Sequence, residues 1–186
     1  MRLLRQTIRS ILLESFDSYD KLTHNEKLEL TFMGHDKSHI DLNNNAAIAK
    51  AFQHYSEVCN MPLYRGVYRT ETRILQGTQI GDTFSFGRVT SLSEKESIGL
   101  HWAKSNYGNM IELVPGARGF NLTAQMLHWY DEWKARNRRD FMMQDGEYQR
   151  EVAEIEKEWL IRGDATYELL DVSERDGVTV YKIEMV

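Results

Sequence analysis

Residues 149–162 read QREVAEIEKEWLIR, and the end of this stretch, Trp159, Leu160 and Ile161, starts a strand, because aromatic and β-branched residues suit a pleated, half-buried surface. If the strand begins a few residues earlier, Ile155, Trp159 and Ile161 share one face and Glu154, Glu156 and Glu158 the other. Neighbours on a face then stand roughly 7 Å apart, at a rise of about 3.3 Å per residue, so the three carboxylates repel one another. Such a face calls for a visiting cation. The plain alternative is a solvated acidic edge, since charge on an edge strand discourages aggregation.

Outward from this stretch, strands follow at 167–172 and 178–185, joined through Asp176-Gly177, a strong hairpin turn signal. Upstream, residues 123–137 make an aromatic helix with Leu127, Trp129, Tyr130 and Trp133. Its basic end, Lys134, Arg136, Arg138 and Arg139, suits the helix dipole or, alternatively, an anionic target. Residues 110–114 form a short strand closed by Pro115-Gly116. Residues 94–104 have helical spacing through Ile98 and Trp102, with Ser93 and Glu96 at the spacing of a capping box. The hydroxyls of Thr90, Ser91 and Ser93 are then either a helix start or part of a site.

Residues 63–69, LYRGVYR, read as a strand with Arg65 in its middle, and residues 70–82 as turns around Gly77 and Gly81. A guanidinium inside a strand is either exposed or meets an anion. Gly66 beside it leaves the backbone open to close approach. Residues 45–58 spread Ile48, Phe52, Tyr55 and Val58 at helical spacing behind an asparagine-rich start suited to capping. Residues 17–45 are a polar connector, and Leu4, Ile8, Ile11 and Leu12 form one stripe of an amphipathic N-terminal helix. The expected organisation is an arm and connector over 1–45 and a catalytic domain over 46–186.

The chain has 186 residues, 41% hydrophobic and 27% charged, enough for one good core. A net charge of -5 and a pI near 5.7 give no general attraction to nucleic acid. The single cysteine, Cys59, excludes an internal disulfide. No run approaches the roughly 18 apolar residues that cross a bilayer, so no membrane association is expected. His35 and His39 are four apart, yet nothing completes a ligand set, so no metal is expected. GxxxxGK[ST], GxGxxG and GxSxG are all absent.

Three segments, in order, resemble a family. Tyr64-Arg65-Gly66, then Val89 to Ser93 followed by Ile98-Gly99 and Trp102-Ala103, then Glu156-Lys157-Glu158 running into Trp159-Leu160-Ile161 are similar to the mono-ADP-ribosyltransferases of the arginine–serine–glutamate class, which includes bacterial toxins and small tailed-phage transferases. Ser91-Leu92-Ser93 stands where that family has Ser-Thr-Ser. A register one step back, Val89-Thr90-Ser91, leaves Ser91 and Ser93 both open as the key hydroxyl. Glu154/Glu156 is the alternative to Glu156/Glu158 as the acidic pair.

The resemblance implies an α+β fold: a split β-sandwich of two mixed sheets flanked by helices, with NAD in the cleft as co-substrate. It implies that Glu158 stabilises the positive charge developing on the ribose, that Arg65 binds the phosphate or ribose region, and that Gly66 presents backbone to the nicotinamide amide. Ser91 would hold Glu158 or the ribose, with Thr90 and Ser93 beside it. In the family a glutamate at position 156 accompanies transfer to arginine. Protein arginine in a host cell is therefore the leading acceptor, with nucleic acid an alternative. Rival outcomes are NAD hydrolysis and a non-catalytic NAD-binding or virion-associated module. Leu12-Leu13-Glu14 resembles the end of capsid-targeting peptides, which implies packaging in a virion.

Overall fold

The computed structural model describes residues 21–33, 44–135 and 146–186. The arm at 1–20, the His35/His39 pair and Arg136, Arg138 and Arg139 lie outside the described residues. Two compact units are formed, residues 1–54 and 55–186.

In the first unit, helix α1 (His24–Met33) occupies what the sequence reading treats as connector. Its start is a reciprocal cap. Thr23 N–H donates to Glu26 Oε2 at 2.8 Å and Glu26 N–H to Thr23 Oγ1 at 3.3 Å. Helix α2 (Ala46–Tyr55) is capped by Asn45, whose Oδ1 accepts from Ile48 N–H at 3.0 Å. Ala47, Ile48, Ala51 and Phe52 form its buried stripe. The helix stops short of the expected 58, because Ser56–Val58 leaves as strand β1.

The second unit continues with β2 (Leu63–Gly66), α3 (Arg69–Gln76), β3 (Thr83–Phe84), β4 (Thr90–Ser93), α4 (Glu96–Ser105) and β5 (Asn109–Leu113). After these come β6 (Arg118–Asn121), α5 (Leu122–Ala135), α6 (Gly146–Glu156), β7 (Glu158–Ile161), β8 (Tyr167–Arg175) and β9 (Val178–Met185). The strand order is β1-β6-β7-β4-β2-β5-β9-β8-β3. All pairs are antiparallel except β5 with β9. Between β4 and β2 the ladder consists of one pair, Tyr64↔Ser93. In place of two separate mixed sheets, the nine strands join in one sheet that narrows to that pair, wholly antiparallel on one side of it and mixed on the other.

Alternation along the strands builds the core. Ile111 and Leu113 of β5 join Leu63, Leu92, Trp159, Ile161, Leu169 and Ile183 in one cluster. Met110, beside Ile111 on β5, joins Val178, Val180 and Ala103 in another. The hairpin at Asp176-Gly177 forms as the sequence indicates, with φ of 54° and 74° at the two residues.

The acidic stretch differs from its expected form. Residues through Glu156 are helical, and only Glu158–Ile161 is strand. Arginine, glutamate and alanine in 150–156 are strong helix formers, and they outweigh Val152 and Ile155. Ile155, expected on a buried face, is 47% exposed. Glu154, Glu156 and Glu158 therefore do not form an acidic strand face.

Candidate active site

The site begins where helix becomes strand. Lys157 has a φ of 47°, a left-handed conformation costing a non-glycine residue about 1 kcal/mol. That turn ends α6 and aims Glu158 into β7. The last carbonyls of a helix lack intrahelical donors, and here the segment between β4 and α4 supplies them. Ser93 Oγ donates to Glu156 O, Glu94 N–H to Lys157 O at 3.1 Å, and Lys95 Nζ to Glu154 O at 3.3 Å. The capping box expected at Ser93 and Glu96 is not made. Lys95 takes the N-cap position, Ser93 Oγ accepts from Lys95 N–H at 3.0 Å, and Glu96 turns to Arg175.

Glu158 is buried, at 6% exposure. Its N–H donates to Thr123 Oγ1 at 2.7 Å, and Thr123 Oγ1 donates to Ala153 O at 3.3 Å, so the first turn of α5 ties β7 to α6. In the β4–β7 ladder Ser93 faces Glu158, so Ser91, two residues along, shares that face. Ser91 Oγ donates to Glu158 Oε1. Of the two serines left open by the sequence, Ser91 is the one whose hydroxyl meets Glu158. Thr90 is buried and donates to Arg88 O at 3.1 Å. Glu154 pairs instead with Arg150 on its own helix.

Arg65 reaches the same place from β2. Its Nη1 donates to Ser91 O at 2.8 Å, and its guanidinium carbon lies 5.5 Å from the Tyr68 ring centre. Arg65, Ser91 and Glu158 are thus brought together, with Ser91 touching both charged residues. Gly66 has a packing reason of its own. A Cβ there would stand 2.3 Å from Ala103 N, and one at Gly99 would stand 2.8 Å from Tyr64 Cβ. The two glycines let α4 lie directly on β2, so the buried face of α4 carries Gly99 and Ala103, and Trp102 is 46% exposed.

Sequence reasoning missed Glu71, in the first turn of α3 within the stretch expected to be turns. It is 1% exposed. Its Oε2 accepts from Tyr68 N–H at 2.9 Å, and its Oε1 meets Arg88 Nη2 at 2.5 Å and Arg65 Nε at 3.3 Å. A carboxylate this deep needs such partners, and it holds Arg65 through a different guanidinium nitrogen from the one that meets Ser91's carbonyl. An acid three residues beyond a helix start is the signal that pointed to it. Nearby, burial pushes the Tyr167 phenol well up, with the charge of Arg65 opposing and that of Glu71 adding.

Among the described residues no group of three histidine, cysteine, aspartate or glutamate side chains stands where it can hold a metal ion. Nor is any described helix long and apolar enough to cross a membrane.

The profile of the Bacteriophage T4 Mod ADP-ribosyltransferase family matches residues 7–186. The chain belongs to this family. No curated protein matches it in sequence. Among solved structures it is similar to the ADP-ribosyltransferase Vis in complex with an inhibitor, with a TM-score of 0.55 and 14% identity over 94% of this chain and 82% of that one. An ADP-ribosyltransferase toxin from Paenibacillus larvae gives a TM-score of 0.51 and 13% identity over 94% and 90%. An ADP-ribosyltransferase from Clostridium botulinum gives 0.50 and 11% over 95% and 93%. At such identities the likeness is one of fold, an α+β ADP-ribosyltransferase fold. Together with the family, it supports NAD-dependent ADP-ribosyl transfer by this Mod-family chain.

Proposed function

We propose that this transferase moves ADP-ribose from NAD to arginine side chains of host proteins, releasing nicotinamide. The observation that carries the reading is Ser91, whose carbonyl holds Arg65 and whose hydroxyl holds Glu158. A dinucleotide diphosphate is anionic, and the ribose becomes cationic as its bond to nicotinamide breaks. A cation and a carboxylate fixed by one residue suit both charges at once.

In this reading Arg65 binds the phosphate or ribose region with its planar donor fork. Glu158 holds the ribose 2′-hydroxyl and stabilises the growing positive charge, while Ser91 sets the rotamer of that carboxylate. Gly66 offers backbone to the nicotinamide amide, Ser93 shapes the floor of the site, and Thr90 supports it from the other face of β4. Glu156, two residues before Glu158, orients the acceptor guanidinium and takes its proton. The name of the family ties it to a tailed phage, which fits an effector acting in the host cytoplasm and carried by the virion.

Incubation of the purified protein with labelled NAD and host lysate, followed by mapping of the modified side chain, tests the proposal. Glu158→Gln abolishes both nicotinamide release and labelling. Glu156→Gln abolishes labelling of arginine and leaves part of the NAD hydrolysis. Label on a nucleic acid, or equal loss in both variants, overturns the arginine assignment.

A further inference from the structure

Glu94 grips the turn between Glu156 and Glu158 at three points. Its N–H donates to Lys157 O at 3.1 Å. Its Oε1 accepts from Trp159 Nε1–H at 2.9 Å, and its Oε2 stands 3.6 Å from Lys157 Nζ. The Glu94 side chain is 15% exposed and that of Lys157 48%, so the bond to the buried Trp159 is the shielded contact and the pair with Lys157 is the weaker one. Trp159 is buried in the main core cluster, which makes its indole a fixed post. Lys157, by contrast, sits in a left-handed conformation that a lysine does not favour by itself.

We propose that Glu94 is a positioning residue for acceptor transfer. It ties Lys157 to the Trp159 post, and so fixes where the Glu156 carboxylate stands relative to Glu158. The inference rests on the reading of Glu156 as the residue that orients the acceptor. Glu158 has separate support from Ser91 and from Thr123. Ser93 holds Glu156 at its carbonyl, and loosening the Lys157 side of the turn swings the Glu156 carboxylate before it moves Glu158. Breakage of the NAD glycosidic bond, with water as acceptor, depends on Glu158 and survives. Transfer to a guanidine, which needs the second carboxylate in register, does not.

The test compares wild type, Glu94→Ala and Glu94→Gln. Two rates are measured for each: nicotinamide release with no added acceptor, and ADP-ribosylation of agmatine and of lysate protein. Glu94→Gln keeps an oxygen for the Trp159 N–H and loses the charge that holds Lys157. A thermal melt of each variant reads the fold separately. In Glu94→Ala, transfer falls roughly 10–100-fold while nicotinamide release stays within about threefold of wild type. Glu94→Gln lies between the two. The indole N–H resonance of Trp159 moves in Glu94→Ala and much less in Glu94→Gln. An active wild type whose ratio of transfer to hydrolysis is unchanged in Glu94→Ala overturns the inference alone, as does an equal fall of both rates. A wild type that hydrolyses NAD and labels neither acceptor overturns the transfer reading as well.

Discussion

The Ser91 hydroxyl donates to the Glu158 carboxylate across the β4–β7 ladder, one step diagonal from the Ser93↔Glu158 pair. That diagonal places the serine against the acid's Oε1 while Thr123 holds the acid's own N–H. The carboxylate is thus steered from one end and its backbone from the other.

Removing the first of these contacts is the most direct test of the steering. Ser91→Ala leaves a buried carboxylate oxygen short of one donor, a loss of about 1–3 kcal/mol. If Ser91 acts by orienting Glu158, that loss appears in kcat, which falls roughly 10–100-fold, with little change in KM for NAD. Steady-state kinetics of nicotinamide release decide the matter, and an effect confined to KM refutes the steering role.

Glu71 is the common partner of Arg65 and Arg88. Glu71→Gln removes the charge from a side chain that is 2% exposed and leaves Arg65, 15% exposed, beside a neutral amide. Breaking a buried pair on one side costs about 3 kcal/mol, equivalent to roughly 6–12 °C in Tm for a chain of this size. Arg88 is half in water and adds little. KM for NAD rises in the same variant, because Arg65 loses its charged partner and leans on Ser91's carbonyl. A melting temperature unchanged within error contradicts this account.

Gly66→Ala forces a methyl group to 2.3 Å from backbone of α4. Backbone in a packed helix cannot swing aside as a side-chain tip does, so the substitution costs about 3 kcal/mol or more. Soluble yield and Tm both fall. A stable, fully active Gly66→Ala protein would show that α4 can lift off β2, against the packing described.

Alkaline pH unfolds the protein through its buried phenols. Burial pushes Tyr130 up to about 12 and Tyr167 further up, against a usual value near 10. Because the folded-state values are raised, the stability they carry is fully present below about pH 10. It is lost as pH rises through about 12. Melting curves across that range, read beside near-ultraviolet absorbance of tyrosinate, check the prediction. A flat Tm with all tyrosines titrating near 10 would refute it.

How legible the site is depends on how local its determinants are. Strand β7 shows itself through Trp159, Leu160 and Ile161, and the β8–β9 hairpin through Asp176-Gly177, because both signals lie within a few residues. Arg65 is readable as a guanidinium that is either exposed or meets an anion, and the structure shows the second. The anion itself is missed, since the turn signals of Gly77 and Gly81 mask the eight-residue helix RTETRILQ whose first turn carries Glu71. The acidic stretch misleads because alternation of glutamate with Ile155 and Trp159 mimics a strand, while Lys157 breaks the chain direction between them. Ser93 reads as a helix cap because its donation to Glu156 O spans 63 residues and leaves no trace in local spacing.

The lone rung between Tyr64 and Ser93 also bears on how the molecule matures. Arg65 belongs to one half of the ladder, Ser91 and Glu158 to the other, so neither half owns a working site. If these residues act as proposed, a chain with either half still unformed has no complete site for NAD. On the proposed roles of these residues, turnover is then a gauge of completed assembly, reached only once the last seam has closed.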